Sequence, residues 1–130
     1  MRYDQIVGQV QNKARLASEG EALRAIQATL ETLGERVYGG EAHNLASQLP
    51  RELGQFLEEP AINESFDMDE FFRRVSLREG VDLPEAVFHA RAVIDVLRQA
   101  VSPGAIDKLL DQLPEEYDRL FVSGSTGRMP

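Results

Sequence analysis

Side chains able to do nucleophilic, metal-binding or phosphate-binding chemistry are few and scattered in this chain. Its 130 residues include no cysteine and only two histidines, His43 and His89, which form no His-Glu-x-x-His or similar zinc spacing. No Gly-x-Ser-x-Gly motif marks a nucleophile, and no glycine-rich stretch has the spacing and lysine of a phosphate-binding loop. The sequence therefore predicts a protein that is not an enzyme and that carries no cofactor and no metal.

Acidic residues are numerous, and solvated helix faces are the preferred interpretation of them. Asp107 and Asp111 lie one helical turn apart, so a divalent cation bound through their oxygens is the alternative. No Glu-x-x-His pair of a di-iron bundle and no glycine spacing of a calcium loop accompanies them. We find no acid that interrupts an apolar stripe, as a buried general acid or base would.

The two histidines are expected to be ordinary surface or half-buried residues. His89 is the more interesting of the two, because it shares a predicted helix with Val93 and Val96. Burial among apolar side chains would lower the pKa of its imidazole. The sequence names no acid or base as a partner for it.

The overall charge limits the classes of partner. The formal net charge is −8, so binding to a phosphate backbone would work against the field of the protein, and nucleic acid is not an expected partner. The only basic cluster contains Arg73, Arg74 and Arg78. We expect these arginines to pair with nearby carboxylates, and contact with a phosphate or an acidic partner is the alternative.

Targeting and membrane signals are missing from the sequence. The N-terminal residues lack the apolar stretch of a signal peptide, and no run approaches the ~18 apolar residues of a membrane span. We therefore expect a cytoplasmic protein with no membrane contact.

The elements that must position these side chains recur along the chain. The run Gln48-Leu49-Pro50-Arg51-Glu52 returns as Gln112-Leu113-Pro114-Glu115-Glu116, an offset of 64 residues. At that offset, residues 21–57 and 85–121 share 11 identical positions, and upstream of residue 17 the offset becomes 65. Shared identities in a shared order of apolar positions indicate a tandem duplication.

Each copy is predicted to contain four helices. The second helix is the clearest, with apolar residues at spacings of three and four, and no segment alternates with the period of a strand. In the first copy this stripe comprises Leu23, Ile26, Leu30, Leu33 and Val37. Asp4, and Asp69 or Asp67, are the expected caps of the first helices, and Asp82 is the expected cap of helix 83–101.

The fold class that follows is all-α, with a duplicated four-helix repeat packed as one compact helical domain. We assign the domain to residues 1–122, the repeats to about 3–58 and 67–122, and an acidic linker to 59–66. Residues 123–130 are expected to form a flexible tail. About sixty residues bury too little surface to be stable alone, so the copies should share one core.

Three stretches of the sequence resemble a known family. They are the repeated Gln-Leu-Pro motif, FFRRVSLREGVDLPEA at residues 71–86 and HARAVIDVLRQAVSPGAI at residues 89–106. Together they are similar to the bacterial family filed as domain of unknown function 2267, over about residues 3–121. The resemblance implies an all-helical cytoplasmic protein, and it brings no established activity and no catalytic residues.

One asymmetry between the copies suggests a function. Helix 83–101 carries a second apolar face, roughly 140° from its core stripe at 100° per residue, whereas the matching face of the first copy is polar. The candidate partner-binding residues are Phe88, Ala92, Val96 and His89. This face either packs against the first copy or the tail, or it forms an exposed stripe for a partner helix or a homodimer.

These observations predict a non-catalytic protein-interaction or regulatory module, with self-association through the face around Phe88 as one form of it. The alternative is a small-molecule-binding domain with a pocket between the two repeats. On the first interpretation, Phe88→Arg should perturb self-association more than stability.

Overall fold

The computed structural model describes residues 1–121 of the chain. The expected tail, 123–130, lies outside these residues, as does the last residue of the assigned domain. All regular structure within residues 1–121 is helical, as predicted. The helices are α1 (Tyr3–Lys13), α2 (Glu19–Arg36), α3 (Glu41–Ser47), α4 (Arg51–Glu58), α5 (Met68–Glu79), α6 (Leu83–Ala100), α7 (Pro103–Gln112) and a 3₁₀ helix, η1 (Glu115–Phe121).

The two longest helices, α2 and α6, begin and end alike. Each has 18 residues, and each begins after a residue whose side chain accepts a backbone hydrogen bond, Ser18 in α2 and Asp82 in α6. Capping by Asp82 is as predicted. Each helix is followed by a valine in extended conformation, Val37 or Val101.

The two halves of the chain are residues 3–58 and 67–121, and their first helices are α1 and α5. The ends of these two helices were predicted only in part. Asp67 caps α5 by accepting from the Glu70 amide at 2.8 Å, so the Asp67 alternative is confirmed. The cap predicted for Asp4 is wrong, because α1 begins at Tyr3 and Asp4 already lies within its first turn. The sequence predicts that this first helix continues to about residue 16, but α1 ends at Lys13, because Arg15 takes a left-handed conformation with φ of 56°.

The last helices of the two halves differ from each other. Helix α4 approaches α2 so closely that a Cβ on Gly34 would lie 2.2 Å from the Leu57 carbonyl oxygen. The matching position in the second half is Arg98, whose guanidinium donates to the carbonyl of Phe121. An arginine excludes the same close approach, so η1 is tied to α6 by a side-chain hydrogen bond instead.

The helices of both halves pack around one core. Helix α1 packs on α2 and α6, α5 packs on α6 and α2, and α3 meets α7. Every helix contributes buried side chains to a single apolar cluster. The largest side chains with almost no exposure are Tyr117, Phe71, Ile26, Leu33, Leu45, Leu53, Leu57, Ile94, Leu109 and Leu120. Among residues 1–121, no helix has both the length and the apolarity required to traverse a bilayer.

The segment between α4 and α5 is anchored on the end of α2. The Asn63 side-chain amide donates to the carbonyls of Gly34 and Val37, at 2.9 and 2.7 Å. The Gly34 carbonyl lies in the last turn of α2 and the Val37 carbonyl belongs to its C-cap residue, so no further helical amide reaches either of them. The Asn63 side chain therefore supplies hydrogen-bond donors to the backbone carbonyls at the C-terminal end of α2.

Candidate functional site

The four predicted partner-binding residues lie on α6, and three of them are buried. Ala92 is 5% exposed and Val96 is not exposed at all, so neither is accessible to a partner. Phe88 is half-buried, and His89 is buried. Of the two interpretations of this face, packing within the chain therefore applies to Ala92 and Val96, and only Phe88 stays within reach of a partner.

The accessible apolar surface lies one to two turns earlier on α6 than the predicted face. Leu83 is 50% exposed, Pro84 is exposed, and Val87 and Phe88 are half-buried. Leu83 and Val87 are four residues apart, as are Pro84 and Phe88, so the four side chains form two adjacent rows at the surface. We call these four residues the Phe88 edge. The sequence prediction missed Leu83 because it extended the row from Phe88 only toward the C-terminus and not back to the first turn of the helix.

The border of the Phe88 edge is acidic. Asp82, the N-cap of α6, and Glu85, in its first turn, are both exposed and flank Leu83 and Pro84 in the sequence. Arg91, the nearest cationic residue along the helix, is only 3% exposed and donates to the Arg119 carbonyl at 2.9 Å. The edge is thus an apolar surface with carboxylates at its rim.

His89 has a partner that the sequence did not reveal. Its Nδ1 lies 2.5 Å from Oε2 of Glu79, the last residue of α5, and the two side chains are only 6% and 3% exposed. The hydrogen bond with Glu79 raises the pKa of His89 by more than burial lowers it, so the expected burial-lowered pKa is wrong.

Glu79 also contradicts the inference that no acid interrupts an apolar stripe. It continues the buried row of Phe72 and Val75 at spacings of three and four. The sequence signal that could have revealed a buried Glu79 was therefore its spacing from Phe72 and Val75. Glu79 was overlooked because it is the last residue of its helix, where a carboxylate ordinarily reaches solvent.

His43 is a surface residue, as expected. Its side chain is 78% exposed, and Nδ1 lies 2.5 Å from Oε1 of Glu58. The two side chains help line an open groove of about 330 Å³ between α3 and α4, which also includes Arg51 and Gln55. Gln55 donates to a carbonyl of its own helix.

The arginine cluster pairs with carboxylates of the same chain, as predicted. Arg73 and Arg74 both bind Glu70, with contacts of 2.7 Å, and together they lower its pKa to about 2. Arg78 binds Glu35 on α2 at 2.7 Å. Because these guanidiniums already have carboxylate partners, the cluster does not favour the phosphate alternative.

The cavity enclosed between the two halves is small, whereas the groove of about 320 Å³ between α2 and α5 is open and is lined by Glu35 and the already paired Arg74 and Arg78. The cavity lined by residues of α1, α2, α4 and α6 has a volume of about 10 Å³ and an entirely apolar lining. Ligand pockets usually measure roughly 300–1,000 Å³, and about 10–15 Å³ holds at most a single water. This cavity lends no support to a small-molecule pocket between the halves. Within residues 1–121, no group of three or more His, Asp or Glu side chains is placed to hold a metal ion.

Comparison with known proteins identifies a family but no activity. The family model described as "Uncharacterized conserved protein (DUF2267)" matches residues 3–120, almost the whole described chain. The match agrees with the resemblance found in the sequence. No curated protein matches the chain.

Proposed function

The chain belongs to the DUF2267 family of uncharacterised conserved proteins, and we propose that it is a non-catalytic protein-interaction module that docks its partner on the Phe88 edge. The observation that carries the proposal is the 50% exposure of Leu83 beside the half-buried Val87 and Phe88. An apolar centre with a polar border is the usual anatomy of a protein–protein contact. Aromatic residues are enriched among the side chains that dominate binding energy, which favours Phe88 as the anchor.

The proposed partner carries an apolar face with basic residues around it. The chain has a net charge of −8, and Asp82 and Glu85 border the edge. Complementary charges at a rim accelerate association and select the correct partner. A second copy is the less favoured occupant, because it would bring a chain of the same net charge, with the same acidic border, to the contact.

Site-specific photo-crosslinking tests this proposal. A photoreactive amino acid at position 83 should crosslink to a protein in native lysate, and the additional substitution Phe88→Arg should abolish that product. The same photoreactive amino acid at position 77 is the matched control, because Leu77 is also an exposed leucine, 68% accessible, but it lies on α5 and outside the Phe88 edge. It should not give the product.

The outcomes of the crosslinking separate the alternatives. A product from position 83 that survives Phe88→Arg, or no product at all, overturns the proposal. A product containing only a second copy of the chain, together with a dimer in sedimentation velocity that Phe88→Arg dissociates, replaces the basic partner with self-association. Thermal unfolding of Phe88→Arg must match the wild type for the comparison to stand.

We also infer that the two halves are copies of one four-helix unit. Two ion pairs between the halves support this inference, because the cation comes from the first half in one pair and from the matching position of the second half in the other. Lys13 of α1 binds Asp95 of α6 at 2.7 Å, and Arg78 of α5 lies 3.8 Å from Glu31 of α2. Lys13 matches Arg78 at the offset of 65, and Glu31 matches Asp95 at 64. Two such contacts are what a pseudo-two-fold axis would generate.

A further inference from the structure

Glu79 and His89 form a buried polar connection between α5 and α6. Glu79 is the last residue of α5, and the left-handed Gly80, with φ of 77°, turns the chain toward α6. His89 lies in the second turn of α6, and its Nδ1 is 2.5 Å from the Glu79 carboxylate. The contact therefore fastens the end of one helix to the side of the next.

The packing of the fold does not require an ionisable pair at this place. The matching positions in the first half are Ala14 and Ala25, which are buried at 2% and 0% exposure. Replacing a buried ion pair by apolar side chains is often neutral or stabilising, whereas removing one charge of the pair is strongly destabilising. A reason other than packing is needed for a histidine and a glutamate to occupy these positions.

The Glu79 carboxylate depends on a single partner. Its Oε1 is buried and has no hydrogen-bond partner among the described residues, and its Oε2 is hydrogen-bonded to His89. When the pair holds one proton, the charges of imidazolium and carboxylate compensate each other. When that proton leaves, a buried carboxylate is left without a counter-charge, and such a group is costly to keep out of water.

We propose that Glu79 and His89 form a proton-controlled latch, which holds the end of α5 on α6 while the pair carries its proton and releases it when the proton is lost. Release would let the Glu79 carboxylate reach water by opening the turn at Gly80. The ring of Phe88 lies 5.9 Å from that of His89, centroid to centroid, so the Phe88 edge adjoins the latch. The latch itself does not depend on whether that edge binds a partner.

The charged groups around the pair set the direction of its response. Glu79 from α5 raises the pKa of His89 most, and Glu85 of α6 and Glu21 of α2 act in the same direction, against the lowering effect of burial. A histidine with a raised pKa stabilises the fold fully below its unfolded-state pKa, and this contribution is lost as the pH rises through the folded-state pKa. The latch should therefore be closed in mild acid and open on the alkaline side.

Three cations of α1 and α6 are engaged elsewhere. Lys13 of α1 binds Asp95 at 2.7 Å. Arg91 donates to the carbonyl of Arg119 in η1, and Arg98 donates to that of Phe121. Among the described contacts, the positive charge next to Glu79 is the proton that it shares with His89.

Two measurements on the full chain test the latch. NMR titration of the imidazole should show His89 titrating above the ordinary value of 6.5, with His43→Gln used to assign the signal. Hydrogen exchange, corrected for its intrinsic pH dependence, should then show opening of residues 76–89 increasing by up to about tenfold per pH unit above that midpoint.

The variants distinguish a latch from a merely structural contact. The double substitution Glu79→Ala with His89→Ala restores the residue types of the first half, and it should remove the extra pH dependence while keeping the fold. His43→Gln should behave as the wild type. A His89 midpoint at or below 6.5 in the wild type, or an unchanged rise in exchange in the double variant, overturns the proposal. If the double variant does not fold, Glu79→Gln must lower the His89 midpoint, and failure to do so also overturns it.

Discussion

The Gln112 side chain makes two hydrogen bonds with the backbone of Tyr38, which lies in the opposite half of the chain. Its Oε1 accepts from the Tyr38 N–H at 2.7 Å, and its Nε2 donates to the Tyr38 carbonyl at 2.8 Å. The reciprocal contact joins Gln48 to Ser102, whose N–H donates to the Gln48 side chain at 2.7 Å. Tyr38 and Ser102 match at the offset of 64, as do the two glutamines. The repeated Gln-Leu-Pro motif therefore places a glutamine to hold the loop before the third helix of the other half.

Gln112→Ala should lower the free energy of unfolding by about 1 kcal/mol, because two neutral hydrogen bonds are lost at a partly exposed site. Gln48→Ala, which removes one such bond, should cost about half as much. Urea unfolding followed by circular dichroism measures both. Gln55→Ala is the control, since Gln55 bonds only within α4, and a loss as large as that of Gln112→Ala would contradict the assigned role.

The helical architecture was readable from the sequence because its signals are local. The apolar stripe of α2, which includes Leu33, and the caps Asp67 and Asp82 each depend on spacings within one helix, and the structure has them as predicted. The end of α1 was predicted too late, because nothing in the sequence marks Arg15 as left-handed. Such a conformation is imposed by the packing of the following segment, which is not a local property.

The close approach of α2 and α4 depends on one glycine. Gly34→Ala would place a Cβ 2.2 Å from the Leu57 carbonyl oxygen, and backbone atoms cannot move aside as a flexible side chain can. We expect a loss of about 1–3 kcal/mol in the free energy of unfolding, typical of overpacking. Gly8→Ala in α1 is the matched control, because nothing lies within 4 Å of its added Cβ, and it should stabilise by about 0.5–1 kcal/mol. Equal thermal shifts for the two variants would contradict the close approach.

The ends of α1 and α5 offer a paired test of backbone strain. Arg15, with φ of 56°, and Gly80, with φ of 77°, match at the offset of 65. A left-handed conformation costs a residue with a Cβ roughly 1–2 kcal/mol, and glycine adopts it freely. Arg15→Gly should therefore raise the melting temperature and Gly80→Ala should lower it, both measured by calorimetry. A lower melting temperature for Arg15→Gly would mean that contacts of the arginine outweigh the strain.

The candidate site was predictable only in part. Phe88 stood out because an aromatic residue on a second helix face is visible in the sequence. The burial of Ala92 and Val96, and the pairing of His89 with Glu79, depend on which helices meet, and residues 10 positions apart give no spacing signal for that. Long-range packing decided these features, whereas local periodicity had decided the helices.

Tyr117 is the buried tyrosine, and its hydroxyl donates to the Phe66 carbonyl at 2.7 Å. Burial raises its pKa from 10.0 to about 12, although the Arg36 guanidinium nearby opposes the shift. A group whose folded-state pKa is raised stabilises the fold below its unfolded-state pKa, and this contribution is lost as the pH rises through the folded-state value. The wild type should therefore lose unfolding free energy between pH 10 and 12 through this residue.

Tyr117→Phe removes both the hydroxyl and this titration. At neutral pH it should cost about 0.5–1.5 kcal/mol, the usual value of one neutral hydrogen bond. Between pH 10 and 12 the difference in stability between wild type and variant should shrink, because only the wild type has a buried phenol to ionise. Urea unfolding at several alkaline pH values measures the difference, and the wild type's other titrating groups cancel because the variant shares them. A difference that stays constant over this range would mean that Tyr117 ionises in the folded chain as readily as in the unfolded one.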